Sequence, residues 1–153
     1  MASSQTINLQ TNFRIKVNGD DMTNQVINPI NVLAPFGDYS HAVSTRGTGR
    51  TLYISGQLGI DERGSLSKTF AGQANQCWRN LVAILAADDM AVQDLVKVTT
   101  FVTDISNAQY LRNIRESFLL GSRPASTLVE VSRLVMPEWL VEIEAIAWKA
   151  ESA

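Results

Sequence analysis

Two carboxylates stand one pleat apart near the end of the chain, in the run Leu140-Val141-Glu142-Ile143-Glu144-Ala145-Ile146-Ala147-Trp148. The run reads as a strand, and strand side chains alternate. Val141, Ile143, Ala145 and Ala147 therefore share one apolar face, with Leu140, Glu142, Glu144, Ile146 and Trp148 on the other. A face open to water needs no Leu, Ile and Trp beside its acids, and a core does not hold two acids. A subunit interface with a polar pocket in it accommodates both. There a partly buried carboxylate can hold a water molecule and pass a proton, which is general acid–base chemistry. Glu142 and Glu144 are the two candidates for that work. The preceding strand-like run, Gly121-Ser122-Arg123-Pro124-Ala125-Ser126-Thr127-Leu128-Val129-Glu130-Val131, adds the hydroxyls of Ser126 and Thr127.

Other reactive side chains are few. The single histidine, His41, follows Tyr39 by two positions and shares its strand face, but it has no acid pattern near it and reads as structural. The single cysteine, Cys77, falls on an apolar helical stripe and reads as a small packing residue. One Cys and one His argue against an all-protein zinc or iron–sulfur site, and no internal disulfide can form. Gly47 and Gly49 in the loop Arg46-Gly47-Thr48-Gly49-Arg50 match neither a phosphate-binding loop nor a dinucleotide fingerprint. Arg112, Arg115 and Arg123 are available as anion anchors, although each also reads as a solvated surface arginine.

The elements that must hold these residues follow from periodicity. Residues 1–34 are polar and rich in Asn, Thr and Gln, and read as an extension wrapped on a domain spanning 35–153; Phe13-Arg14-Ile15-Lys16-Val17 can pair there as an edge strand. Tyr39-Ser40-His41-Ala42-Val43-Ser44 and Thr51-Leu52-Tyr53-Ile54-Ser55 flank a Gly-containing loop and predict a hairpin, with Gly56-Gln57 and Asp61-Glu62-Arg63-Gly64 ending the strand region in a second turn. Phe70, Ala74, Cys77, Trp78, Leu81, Ile84 and Leu85 recur at helical spacing over about four turns. Residues 95–103 are a β-branched strand. Asp104, Ser106 and Asn107 then offer caps for a helix over 108–120 that Gly121 stops. Met136-Pro137-Glu138-Trp139 turns the chain between the last two strands. The order β-β-α-β-α-β-β predicts an α+β sandwich with both helices on one face of a mixed sheet. The other face has no helices left to cover it, so the expectation is self-association.

Bulk properties narrow the function classes. The 153 residues suit one domain, and 45% hydrophobic with 18% charged residues suit a folded core. A net charge of −2, with no basic–aromatic stripe, supplies no general attraction to nucleic acid or anionic membrane. The start, Met1-Ala2-Ser3-Ser4-Gln5-Thr6, lacks a basic region followed by an apolar run, and no apolar run reaches membrane-spanning length. A cytoplasmic protein without metal or membrane partner is the expectation.

Several segments together carry a family resemblance: Tyr53-Ile54-Ser55-Gly56-Gln57, the helix from Gln73 to Ala87, the run from Asp94 to Asp104, Arg123-Pro124-Ala125-Ser126-Thr127 and Val141-Glu142-Ile143-Glu144-Ala145-Ile146-Ala147. In this order, over about residues 35–149, the chain resembles the Rid family (RidA/YjgF). The resemblance implies a chorismate-mutase-like fold and a homotrimer with small-molecule pockets at its subunit interfaces. It further implies hydrolysis of reactive enamines or imines to a keto acid and ammonia, with no metal or cofactor; 2-aminomuconate-like dienamines are one substrate version. By position, Glu142 matches a glutamate that handles water, Tyr39 a pocket tyrosine, and Ser55-Gly56-Gln57 a backbone segment at the pocket. Archetypal members also carry an arginine for the substrate carboxylate in a Pro-x-Arg-Ser/Thr segment. Here Pro124-Ala125-Ser126-Thr127 puts Ser126 at that place, so the chain resembles the arginine-less branches. A hydroxyl does not replace a planar, charged fork. Ser126, Thr127 and Arg123 are the expected substrate-binding residues around the gap. The competing expectation is a non-catalytic ligand-binding or regulatory homologue.

Overall fold

The computed structural model describes residues 24–35 and 37–151, so the expected edge strand over 13–17 lies outside the described residues. In chain order the elements are β1 (Gln25–Ile27), β2 (Ala42–Ser44), β3 (Gly49–Leu58), α1 (Phe70–Ala87), β4 (Leu95–Val102), α2 (Ala108–Leu119), β5 (Ala125–Glu130) and β6 (Val141–Ala150). Short 3₁₀ turns, Val92–Asp94 and Ile105–Asn107, lead into β4 and α2. Four strands form a mixed sheet in the order β3-β6-β4-β5, antiparallel except for the β4–β5 pair.

The alternation of β6 settles where the core lies. Val141, Ile143, Ala145 and Ala147 are at most 3% exposed, packed with Val98 and Val102 of β4 and Ile54 of β3. Ala74, Cys77, Trp78, Leu81 and Leu85 of α1 cover them, joined by Leu111 and Leu119 of α2. Both helices thus lie on one face. The helix stripe is interrupted by Gln73, a polar side chain only 1% exposed. Its Nε2 donates to the carbonyls of Ser67 and Glu138, and its Oε1 accepts from the Leu140 amide at 2.9 Å. Burial without those partners would cost about 1–3 kcal/mol for each unsatisfied group. Gln73 therefore latches the start of α1 to the turn that aims β6. At the helix start, Thr69 caps the first turn, its hydroxyl accepting from Gly72 N. At the end of α2, Leu120 and Gly121 turn the chain with positive φ, 50° and 87°.

Two sequence expectations are corrected. The hairpin between the runs now seen as β2 and β3 does not form. β2 pairs instead with β1, Val26 opposite Val43. The reason is long-range: Ser40, just before β2, bridges to Ala125, its amide donating to Pro124 O and its hydroxyl to Arg123 O at 2.7 Å. That tether holds the start of β2 at the β5 edge, whereas β3 forms the opposite edge of the four-stranded sheet. Gly56-Gln57 does not end β3 either. The strand runs on to Leu58 through a register shift between Ile54 and Gln57, a bulge in its pairing with β6.

Candidate active site

A cavity of about 290 Å³ opens between α2 and the β4–β5 edge, and two expected residues, Tyr39 and Ser126, line it. Ser126 pairs in register with the buried Val98, which turns its side chain to the helix side of the sheet. The residue it meets there is Arg115. On α2, Arg115 stands four residues after Leu111 and four before Leu119, both buried, so helical spacing aims it inward. Its Nη1 donates to Ser126 Oγ at 3.0 Å and its Nη2 to Asp38 O at 2.7 Å, while its buried Nε has no partner among the described residues. Burial pulls the guanidinium below its usual pKa, and the negative charges of Asp38 and Glu116 oppose that shift. A guanidinium keeps its proton under such conditions. Arg112, Trp78, Thr100 and Leu128 also line the cavity. Trp78 is held by a stack on Phe118, ring centres 5.9 Å apart.

Glu142 stands on the other side of the sheet. It pairs with Phe101 of β4 and Leu58 of β3 and lies half-buried on the face without helices. Its carboxylate lies over Gly56: a Cβ at that glycine would come within 1.8 Å of Glu142 Oε1. The glycine bulge thus makes room for the acid. Ser55 precedes Gly56 in the same bulge and is exposed. Thr127 follows Ser126 and alternates to the uncovered face, where it accepts from Lys97 Nζ and shares a rung with Thr99 and Glu144.

The expected site residues therefore form two groups separated by the sheet. Tyr39 and Ser126 belong to the helix-side cavity; Glu142, Ser55, Gly56 and Thr127 belong to the uncovered face. Arg123 joins neither, since its Nη2 pairs with Asp38 Oδ1 at 3.2 Å and it borders a different depression beside β1. His41 secures the β1–β2 ribbon, its amide donating to Asn28 Oδ1 and its Nε2 bonded to Leu33 O. Burial pushes the Cys77 thiol up to about 12, and the Cys77 Sγ–H points toward Val141 O inside the core. Arg115 is the residue whose surroundings differ most from the solvated reading. The signal was its place on the Leu111–Leu119 line, where a charge interrupts an inward stripe. Among the described residues no group of three or more His, Cys, Asp or Glu could hold a metal ion, and no helix is long and apolar enough to cross a membrane.

Comparison with known proteins agrees with the mixed sheet and the two helices. Residues 29–149 match the endoribonuclease L-PSP family, and the chain belongs to it, the family of the Rid (YjgF) proteins. A conserved Rid family protein of Yersinia pestis superposes with a TM-score of 0.75 at 34% identity, over 82% of this chain and 98% of that one. A RutC family protein of Pyrococcus horikoshii is 36% identical across 82% of this chain and 98% of its own length. A Mus musculus protein named 2-iminobutanoate/2-iminopropanoate deaminase is 35% identical across 80% of this chain and 90% of its own length.

Proposed function

We propose that this chain hydrolyses a reactive imine or enamine to a carbonyl compound and ammonia, in a homotrimer whose pockets lie between subunits. The observation that carries the reading is the half-buried Glu142 carboxylate seated over the Gly56 bulge on a sheet face that, among the described residues, no helix covers. The name of the similar mouse protein supports the reaction class. The division of the site supports the assembly. Glu142 and Ser126 lie on opposite faces of one sheet, so a pocket that uses both takes each from a different copy.

In this scheme an enamine first tautomerises to the imine. Glu142 takes a proton from its water as the oxygen adds to the C=N carbon and returns it to nitrogen, giving a neutral carbinolamine. The carbinolamine hydroxyl then gives up its proton, which Glu142 relays to nitrogen as the C–N bond breaks, the C=O bond forms and ammonia leaves. Tyr39, Ser126 and Thr127, with the backbone at Ser55 and Gly56, hold the substrate. Such substrates are already labile, so orienting water and relaying its two protons to nitrogen suffices.

The test is a purified preparation mixed with a source of short-lived enamine, following ammonia or ketone. Wild-type protein should accelerate release, and Glu142→Ala should lower the acceleration by about a hundred-fold or more, the scale of a lost general base. Sedimentation should give three chains. No acceleration with any enamine class, alongside tight small-molecule binding, would sink the catalytic reading and leave a binding or regulatory protein.

A further inference from the structure

We infer that Arg115 of α2 is the carboxylate anchor of the helix-side cavity and that Ser126 is its positioning residue. The inference rests on the reading above in taking that cavity as part of the substrate site.

The cavity is lined by two guanidinium groups, Arg112 and Arg115, one helical turn apart. Among the described residues neither forms an ion pair. Asp38 has its carboxylate engaged by Arg123 and offers Arg115 only its carbonyl, and Glu116, the next residue along α2, lies exposed. Asp38 and Glu116 act on Arg115 only through space, so no carboxylate among the described residues contacts the half-buried guanidinium, and a ligand carboxylate would supply that contact. Geometry points the same way. A guanidinium has five N–H donors. Arg115 directs one at Ser126 and one at Asp38 O, which fixes the plane of the group, and its buried Nε has no partner among the described residues. The Ser126 hydroxyl accepts from Arg115 and keeps its own hydrogen to donate. A carboxylate placed beside them meets a fixed fork and a hydroxyl.

The lining limits the rest of the ligand. Trp78, Leu111 and Leu128 are apolar, and about 290 Å³ is at the small end for a ligand pocket. The ligand is thus a short carboxylate with an apolar tail. The anchor has moved from strand to helix: residue 126 holds the arginine in place and does not supply it.

Pyruvate, its methyl ester and inorganic phosphate, titrated into the assembled protein by calorimetry, test this. Wild type should bind pyruvate and discriminate against both the neutral ester and phosphate. Arg115→Met should weaken pyruvate by about ten- to a hundred-fold, the range for a hydrogen-bonded charge, and leave the ester unchanged. Ser126→Ala should weaken pyruvate several-fold and, for an acidic imine, raise KM with kcat held. Combining Arg115→Met with Ser126→Arg should restore pyruvate binding, since the charge returns from the strand. Arg115→Lys covers the case in which Arg115→Met does not fold, and should bind pyruvate in between. Pyruvate affinity unchanged in Arg115→Met, or phosphate bound as well as pyruvate, overturns the anchor. Arg115-dependent pyruvate binding in a protein with no hydrolytic activity supports the anchor and overturns the hydrolase reading instead.

Discussion

The two faces of the sheet are built from the same strands yet end in opposite conditions. Ile143 and Ala145 of β6 are 1% and 3% exposed beneath α1, and the buried amide of Gln73 beside them has every polar atom engaged. One residue along, Glu142 and Glu144 stand with Thr99, Thr127 and Tyr53 on a face where Tyr53 is 76% exposed. The covered face holds the fold together. Among the described residues no helix lies over the uncovered face, which carries acids and aromatics, the composition of a surface whose partner is another molecule. Stability and chemistry are thus divided by the period of two of a β-strand.

Substitutions can break that division or sharpen it. The largest effect is expected beneath α1: Ile143→Ala removes a fully buried side chain and should cost about 2–5 kcal/mol in urea unfolding. On the uncovered face Tyr53→Arg should leave chain stability within about 0.5 kcal/mol while weakening self-association in sedimentation. Equal stability losses at both sites would dissolve the contrast. Gly56→Ala should separate chemistry from folding. Its methyl group meets the mobile end of Glu142, which swings aside at little cost to stability. Imine hydrolysis should then drop about ten-fold or more with the melting temperature nearly unchanged, about 1.4 kcal/mol in the barrier. Thr69→Ala, which removes the α1 cap, should cost about 1 kcal/mol. The smallest effect is a null one. With its thiol raised to about 12 by burial, Cys77 carries no thiolate at pH 8 in the folded protein, so thiol reagents should label it only as the chain unfolds.

Much of the covered face was legible in sequence because its signals are local. The i, i+3, i+4 stripe from Phe70 to Leu85 specified α1, and alternation in β6 placed Val141, Ile143, Ala145 and Ala147 in the core, whereas the burial of Trp148 on the other side does not follow from it. The hairpin was misread because a three-residue strand has little pairing preference of its own; Ser40, tied to Pro124 and Arg123 more than eighty positions away, decided which edge it approached. Gln73 escaped notice because a polar residue on an apolar stripe declares no partner until Glu138 and Leu140 arrive beside it. Gly56 signalled a turn, and only pairing with β6 made it a bulge.

What the amino-acid order determined by itself is the side of each strand and helix that a residue occupies, since backbone geometry repeats every two or 3.6 residues whatever lies around it. Glu142 opposite the core follows from that alone. Tertiary structure decided which of those sides meet. The contact of Arg115 with Ser126 joins a helix to a strand across a turn, and the separation of Ser126 from Glu142 follows from a sheet lying between them. Both depend on packing between elements distant in sequence, which no local period encodes.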